Sequence, residues 1–282
     1  MNRRADILSQ LSDLPTFPPA ALKLMQLLRH PDTTIPEITK IIELEPALTS
    51  RVLRMANSAF YGLPVRVGTV RDAIIRLGFA KITEIVIASS VNPMLSVEIP
   101  GYDLEHNDLW RHSVAVAIAA KQIASMQHPQ IAEYAFTAGL LHDIGRLIMS
   151  SYVAPVRDQL YSIAEREELS YDEVENKEFD ISAAEAGGEV LAHWQLPDEI
   201  VTAVRYHLTP DLAPGDQTLT EVIHLANGLI LMTGIGVGTD GLRFRMNTTV
   251  VEKFGLNPVA VAKLMNEVHT QLVAADELIM AD

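Results

Sequence analysis

The chain of 282 residues carries 36 acidic against 22 basic side chains, a net charge of −14. That balance repels a phosphate backbone and excludes nucleic-acid binding driven by bulk charge; RVLRM at 51–55 is the nearest approach to a basic patch. The absence of cysteine removes disulfides, thiolate-held zinc and thiol catalysis, and no run approaches the roughly 18–20 apolar residues of a membrane span or forms a signal peptide, so a cytoplasmic globular chain is expected.

Helix-start signals recur along the chain. Thr34-Ile35-Pro36-Glu37 reads as a capping box with proline in the first turn. Thr69 precedes a helix, VRDAIIRL, that Gly78 ends, and VRVGTV at 65–70 is a loop entering it. Residues 90–108, with two prolines and a glycine, read as a linker between lobes at 1–95 and 105–282. Helices follow near 107–126 and 132–150, then behind Ser170 with Glu173 and Ser182 with Glu185. Others lie near 198–208 and 219–233, with a break at 208–220 between them, and Asn257-Pro258 starts the last. No alternating strands are evident, so the expected fold class is all-α, a two-lobed bundle of many helices.

Placing polar residues on helical faces brings out a pattern. His112 shares a stripe with Leu109, Val116, Ala120 and Ile123. Asp143 falls among Phe136, Leu140, Ile144 and Leu147, with His142 a quarter-turn away. His207 lies with Ile200 and Val204, and Asn227 with Ile223 and Ile230. Burying a carboxylate costs several kcal/mol unless it is paired or metal-bound, so these groups are expected to meet. The doublet allows two readings: a metal held by His142 and Asp143 with His112, or a metal-free pair in which Arg146, three residues on, neutralises Asp143. A lone inward histidine such as His207 is more often a hydrogen-bonded core residue than a ligand.

Two stretches carry a resemblance. HSVAVAIAAKQIA with AFTAGLLHDIGRLIM resembles the core of the HD superfamily of metal-dependent phosphohydrolases. The ordered series of the LP-x-x-P opening, ANSAFYG, AIIRLG, GLLHDIG and WQLP, from about Leu14 to Leu231, is similar to the HDOD domain of bacterial signal-transduction proteins. One departure is Glu45-Pro46, where the family usually has Asp-Pro.

The resemblance implies an N-terminal HDOD-specific lobe and a C-terminal, degenerate HD-like lobe. Active relatives hold metal through a His, the His-Asp doublet and a later Asp. His112, His142 and Asp143 match the first three; Asn227 stands where the later Asp falls, Ala183 replaces a further histidine of the two-metal HD-GYP enzymes, and Arg146 replaces their lysine. His207 fits another of their histidines, but Leu208 follows it where a second is common. The set His112, His142 and Asp143 would hold a divalent ion weakly or not at all, no other cofactor is expected, and no residue is expected to be catalytic. The implied function is a non-catalytic regulatory module that binds other signalling proteins, with Asn57, Phe60 and Tyr61 as a partner surface and a homodimer allowed. Aromatics in such a turn more often pin it to the core. Two alternatives remain: a residual phosphohydrolase acting on a nucleotide or cyclic nucleotide, or a nucleotide sensor whose Arg146, Arg205 and Lys121 contact phosphates.

Overall fold

The computed structural model describes residues 3–28, 30, 32–58, 60–238 and 243–279. In chain order the helices are α1 (Arg3–Ser9), α2 (Pro19–Leu27), α3 (Ile35–Glu43), α4 (Pro46–Ala56), α5 (Val70–Leu77), α6 (Phe79–Leu95), α7 (Asp108–Gln127) and α8 (Ala132–Leu141). There follow α9 (Arg146–Val153), α10 (Arg157–Glu167), α11 (Tyr171–Phe179), α12 (Ala183–His193), α13 (Asp198–Tyr206), α14 (Thr218–Leu231), α15 (Thr248–Phe254) and α16 (Pro258–Ile279). Among the described residues the only β pairing is an isolated bridge between Ile99 and Leu104, so the fold is all-α.

Local chemistry sets many of these boundaries. The Glu37 carboxylate accepts the Thr34 N–H at 2.9 Å and its hydroxyl at 2.8 Å, and Glu173 does the same for Ser170 at 2.7 and 3.0 Å. Thr69 Oγ1 accepts from the Asp72 N–H, and Asn257 Oδ1 from the Ala260 N–H. Each of the backbone N–H contacts satisfies a donor left without a helical partner at the helix start. Gly78 ends α5 at φ 82°, a conformation that a β-carbon would strain.

The chain divides into two compact units, Met1–Pro15 with Leu95–Val268, and Thr16–Met94 with His269–Asp282. This differs from lobes at 1–95 and 105–282, because the first residues join the larger unit. Arg3 Nη1 donates to the Glu178 carbonyl at 2.7 Å, Arg4 Nη1 to the Asp180 carbonyl at 2.8 Å, and Ile7 is fully buried. Residues 90–95 are not linker either: α6 runs through them and takes Pro93 into its last turns.

In the smaller unit Leu24, Ile42, Leu48, Val52, Ala73 and Ile82 are fully buried, and α6 is buried on all sides from Ile82 to Ser89. Asn57 closes its long turn, donating to the carbonyls of Leu53 and Val67 and accepting from the Val67 N–H at 2.8 Å. Phe60 and Tyr61 lie edge to face with centroids 4.6 Å apart, both half-buried.

The larger unit is built on α7, whose inner face is mostly alanine: Ala115, Ala117, Ala119 and Ala120 are fully buried. Small side chains let α8 come close, and a β-carbon on Gly139 would lie 2.8 Å from the Ala117 Cα. Helices α13 and α14 complete the packing around α7 and α8. Such short separations allow side chains from four elements to meet at one point.

Candidate functional site

The His-Asp doublet is not inside a helix, as periodicity suggests, but in a tight turn at 142–145 between α8 and α9. Backbone bonds through it reach back three residues: Ile144 N–H to the Leu141 carbonyl at 3.1 Å, Arg146 N–H to that of Asp143 at 3.1 Å. The cause is close packing on α12. A β-carbon on Gly145 would lie 2.0 Å from the Ala183 carbonyl oxygen and 2.4 Å from the Gly187 nitrogen. The tightened turn directs His142 and Asp143 together into the space between α7, α13 and α14.

Within the larger unit the structure brings together His112, His142, Asp143, Arg146, His207 and Asn227, all between 0% and 4% exposed. The Asp143 Oδ2 atom lies 3.1 Å from His142 Nε2, 3.8 Å from His112 Nε2 and 2.8 Å from an Arg146 guanidinium nitrogen. His112 Nε2 is 3.1 Å from Asn227 Oδ1. The His142 ring centroid is 5.2 Å from that of His112 and 5.1 Å from that of His207. Ala183, at the start of α12, brings only its backbone: its N–H donates to Glu175 Oε2 at 2.7 Å.

The tautomers follow from the partners. His112 Nδ1 meets the Ile235 carbonyl at 2.9 Å, His142 Nδ1 that of Gly139 at 2.8 Å, and His207 Nδ1 that of Val204 at 2.7 Å. A carbonyl only accepts, so each Nδ1 is placed to donate, and the Nε2 of His207, on a ring that burial keeps neutral, presents a lone pair. Burial lowers the pKa of His112 to about 4 and of His207 to about 3, keeping both rings neutral. Asp143 is pushed the other way: burial would raise its pKa, but Arg146 first, then His142, hold it well below the usual carboxylate range.

Polar atoms from four elements therefore converge on Asp143. His142 Nε2, Asp143 Oδ2 and His207 Nε2 are buried without a hydrogen bond, and Arg146 stands beside Asp143 as an ion pair rather than an aligned donor. The ligand atoms of His112, His142 and Asp143 lie within 4.8 Å of one another. For ligand bonds of about 2.0–2.2 Å, that spacing suits one divalent ion, and donating each Nδ1–H to a carbonyl is how proteins orient metal-binding histidines. The donor set fits a single ion with one carboxylate. Asn227 contributes at most a neutral oxygen.

Three participants escaped the sequence reading. Tyr102, before α7, donates its hydroxyl to Glu175 Oε1 at 2.5 Å and stacks its ring 5.3 Å from the Arg146 guanidinium carbon. Glu175 links that hydroxyl to the Ala183 N–H, and burial pushes its pKa up to about 7. His224 donates Nδ1–H to the His207 carbonyl at 2.8 Å and accepts the Asn247 N–H at 2.9 Å. Glu175 is four residues from Tyr171 and from Phe179, so its inward position was open to the same helical reasoning as His112. Of the proposed phosphate contacts, Arg205 lies 3.2 Å from Glu189 and Lys121 lies 5.9 Å from the Phe136 ring centre. Asn57 spends its amide within its own turn.

A cavity of about 30 Å³ reaches Asp143. Its wall includes Asp172, Glu175, Ala183, Asn227 and Phe244. That is room for a water or two.

Fold and site together define an all-helical protein with a buried His-Asp doublet at the meeting point of its helices. The HDOD domain model matches residues 14–210, and the chain belongs to the HDOD family. A curated relative from Treponema pallidum (strain Nichols), of uncharacterised role, is 24% identical over 226 residues, covering 79% of this chain and 43% of its own length. The chain thus spans less than half of that relative. An HDOD domain protein of unknown function from Geobacter sulfurreducens has the same fold, with TM-score 0.77, 23% identity and 98% of each chain covered. A Shewanella amazonensis SB2B protein, provisionally assigned as a phosphohydrolase, superposes with TM-score 0.66 at 25% identity over 95% of this chain and 98% of its own. A Marinobacter aquaeolei VT8 protein, provisionally assigned to signal transduction, gives TM-score 0.75 at 22% identity over 95% of this chain and 60% of its own. Among the described residues no helix is long and apolar enough to cross a membrane.

Proposed function

We propose that this chain is a non-catalytic regulatory module that acts by binding signalling proteins rather than by hydrolysing a phosphodiester. The observation that carries this reading is the space at Asp143. A cavity of about 30 Å³ that reaches Asp143 is far below the roughly 300 Å³ from which small-molecule sites start, and Asp143 lines it. This weighs equally against a nucleotide sensor and a residual phosphodiesterase. Hydrolysis also needs an activated water; one ion on His112, His142 and Asp143 would lower the pKa of such a water, but the neutral Asn227 adds no second carboxylate for a second ion. The ion pair with Arg146 further occupies the carboxylate that is present.

The test is turnover of bis(p-nitrophenyl) phosphate and of cyclic dinucleotides with manganese, magnesium or ferrous ion, beside an Asp143→Ala variant. The expected result is no turnover above that variant. Turnover in the wild type that Asp143→Ala abolishes would overturn the reading and bring the phosphohydrolase forward.

A further inference from the structure

The Arg146 side chain is 2% exposed, yet it has a defined seat. One guanidinium nitrogen lies 2.8 Å from Asp143 Oδ2, and its central carbon stands 5.3 Å from the Tyr102 ring centre. The Tyr102 hydroxyl is fixed in turn by Glu175, whose charge also faces the guanidinium. The Asp143 carboxylate lies at the centre of this point, its Oδ2 atom 3.1 Å from His142 Nε2 and 3.8 Å from His112 Nε2, which is hydrogen-bonded with Asn227 Oδ1. A buried carboxylate needs positive charge nearby, because taking it out of water unpaired costs several kcal/mol.

We infer that Arg146 is a protein-borne cation that supplies the positive charge of this site and competes with a divalent ion for Asp143. The inference deepens the non-catalytic reading and rests on it. Two charges of the same sign on one carboxylate repel strongly where water is excluded. The ion must therefore bind against the guanidinium or displace it, and displacement would break the seat on Tyr102. Arginine suits the part because its guanidinium is planar enough to lie on a ring while facing a carboxylate. A lysine at this position would carry the same charge on a stem that can turn away from Asp143.

The experiment is titration calorimetry with manganese chloride on the full chain, comparing wild type, Arg146→Gln and Arg146→Lys, each first shown to be folded by circular dichroism. Arg146→Gln should bind manganese at least tenfold more tightly than wild type, and Arg146→Lys at least threefold. The melting temperature of Arg146→Gln, lowered without metal, should recover as manganese is added. Gains below threefold in the folded variants overturn the inference. If Arg146→Gln fails to fold even with manganese, Arg146→Lys decides by the same threshold. A wild type that hydrolyses phosphodiesters would sink the non-catalytic reading, and the affinity ratios would still judge Arg146 separately.

Discussion

The backbone of Gly145 passes so close to Ala183 that a β-carbon on Gly145 would lie 2.0 Å from the Ala183 carbonyl oxygen. Both obstacles nearest that carbon, the Ala183 oxygen and the Gly187 nitrogen, are backbone atoms, so no side-chain rotation relieves the clash. Gly145→Ala is expected to destabilise the protein by at least ~3 kcal/mol, the upper end of ordinary overpacking. Thermal or urea unfolding measures this. A loss below ~1 kcal/mol would show that α9 can move off α12 and that the doublet turn is not held by this contact.

Glu175 makes stability depend on pH in a particular sense. Burial raises its pKa from 4.5 to about 7, against hydrogen bonds from Tyr102 and Ala183 that favour the ionised form. Between those values the folded chain keeps a proton that the unfolded chain has released, so this contribution falls as pH rises to about 7 and is flat above. His112 and His207, lowered from 6.5 to about 4 and 3, act oppositely: their contribution is full above 6.5 and is lost as pH falls. The opposing trends make the difference between wild type and Glu175→Gln the useful quantity. From about pH 7 down to about pH 5 the wild type should gain on the variant by on the order of 1 kcal/mol per pH unit. A difference that does not change with pH would mean that Glu175 titrates normally.

Which features the sequence disclosed follows from how far apart the causes lie. Caps at Thr34, Ser170, Thr69 and Asn257 are contacts between residues three apart, so the local sequence contains the whole cause. The inward positions of His112, His207 and Asn227 follow from helical period, and all three are buried. The break at 142–145 could not be seen that way. Phe136, Leu140 and Ile144 keep the period through it, while its cause, the backbone of Ala183 and Gly187, lies some forty residues on in the chain. Tyr102 sits in a short turn of the tighter 3₁₀ type with no period to read, and Pro93 argued for a linker although the last turns of α6 accommodate it.

In the smaller unit, Asn57 makes three hydrogen bonds that close the segment from Leu53 to Val67. Truncation leaves the Val67 N–H and carbonyl to find other partners, while the Leu53 carbonyl keeps the backbone N–H of residue 57. Asn57→Ala should therefore cost ~1–3 kcal/mol, and Asn57→Asp, which keeps an acceptor for the Val67 N–H but loses both donors, should cost a similar amount or somewhat less. Unfolding followed by circular dichroism checks both. If neither variant changes stability while binding of a partner protein weakens, Asn57 belongs to an interaction surface and not to the turn.

The last expectation concerns hydrogens. In water a neutral imidazole mostly carries its proton on Nε2, yet four buried rings here have Nδ1 against a carbonyl: His112, His142, His207 and His224. A carbonyl cannot donate, so all four should carry a hydrogen on Nδ1, and His207, which burial keeps neutral, should have Nε2 bare. His224 supports this independently, because its Nε2 accepts the Asn247 N–H and so cannot carry a hydrogen. Long-range ¹⁵N–¹H correlation spectra at neutral pH should show four histidines with a protonated-type Nδ1, and an unprotonated-type Nε2 on His207 and His224. In Arg146→Gln, manganese should broaden the Nε2 resonances of His112 and His142 first, since these lie nearest Asp143 Oδ2. A protonated Nε2 on His142 would mean that it donates to Asp143 and that the pair is joined by a hydrogen bond instead of being two acceptors in need of a cation.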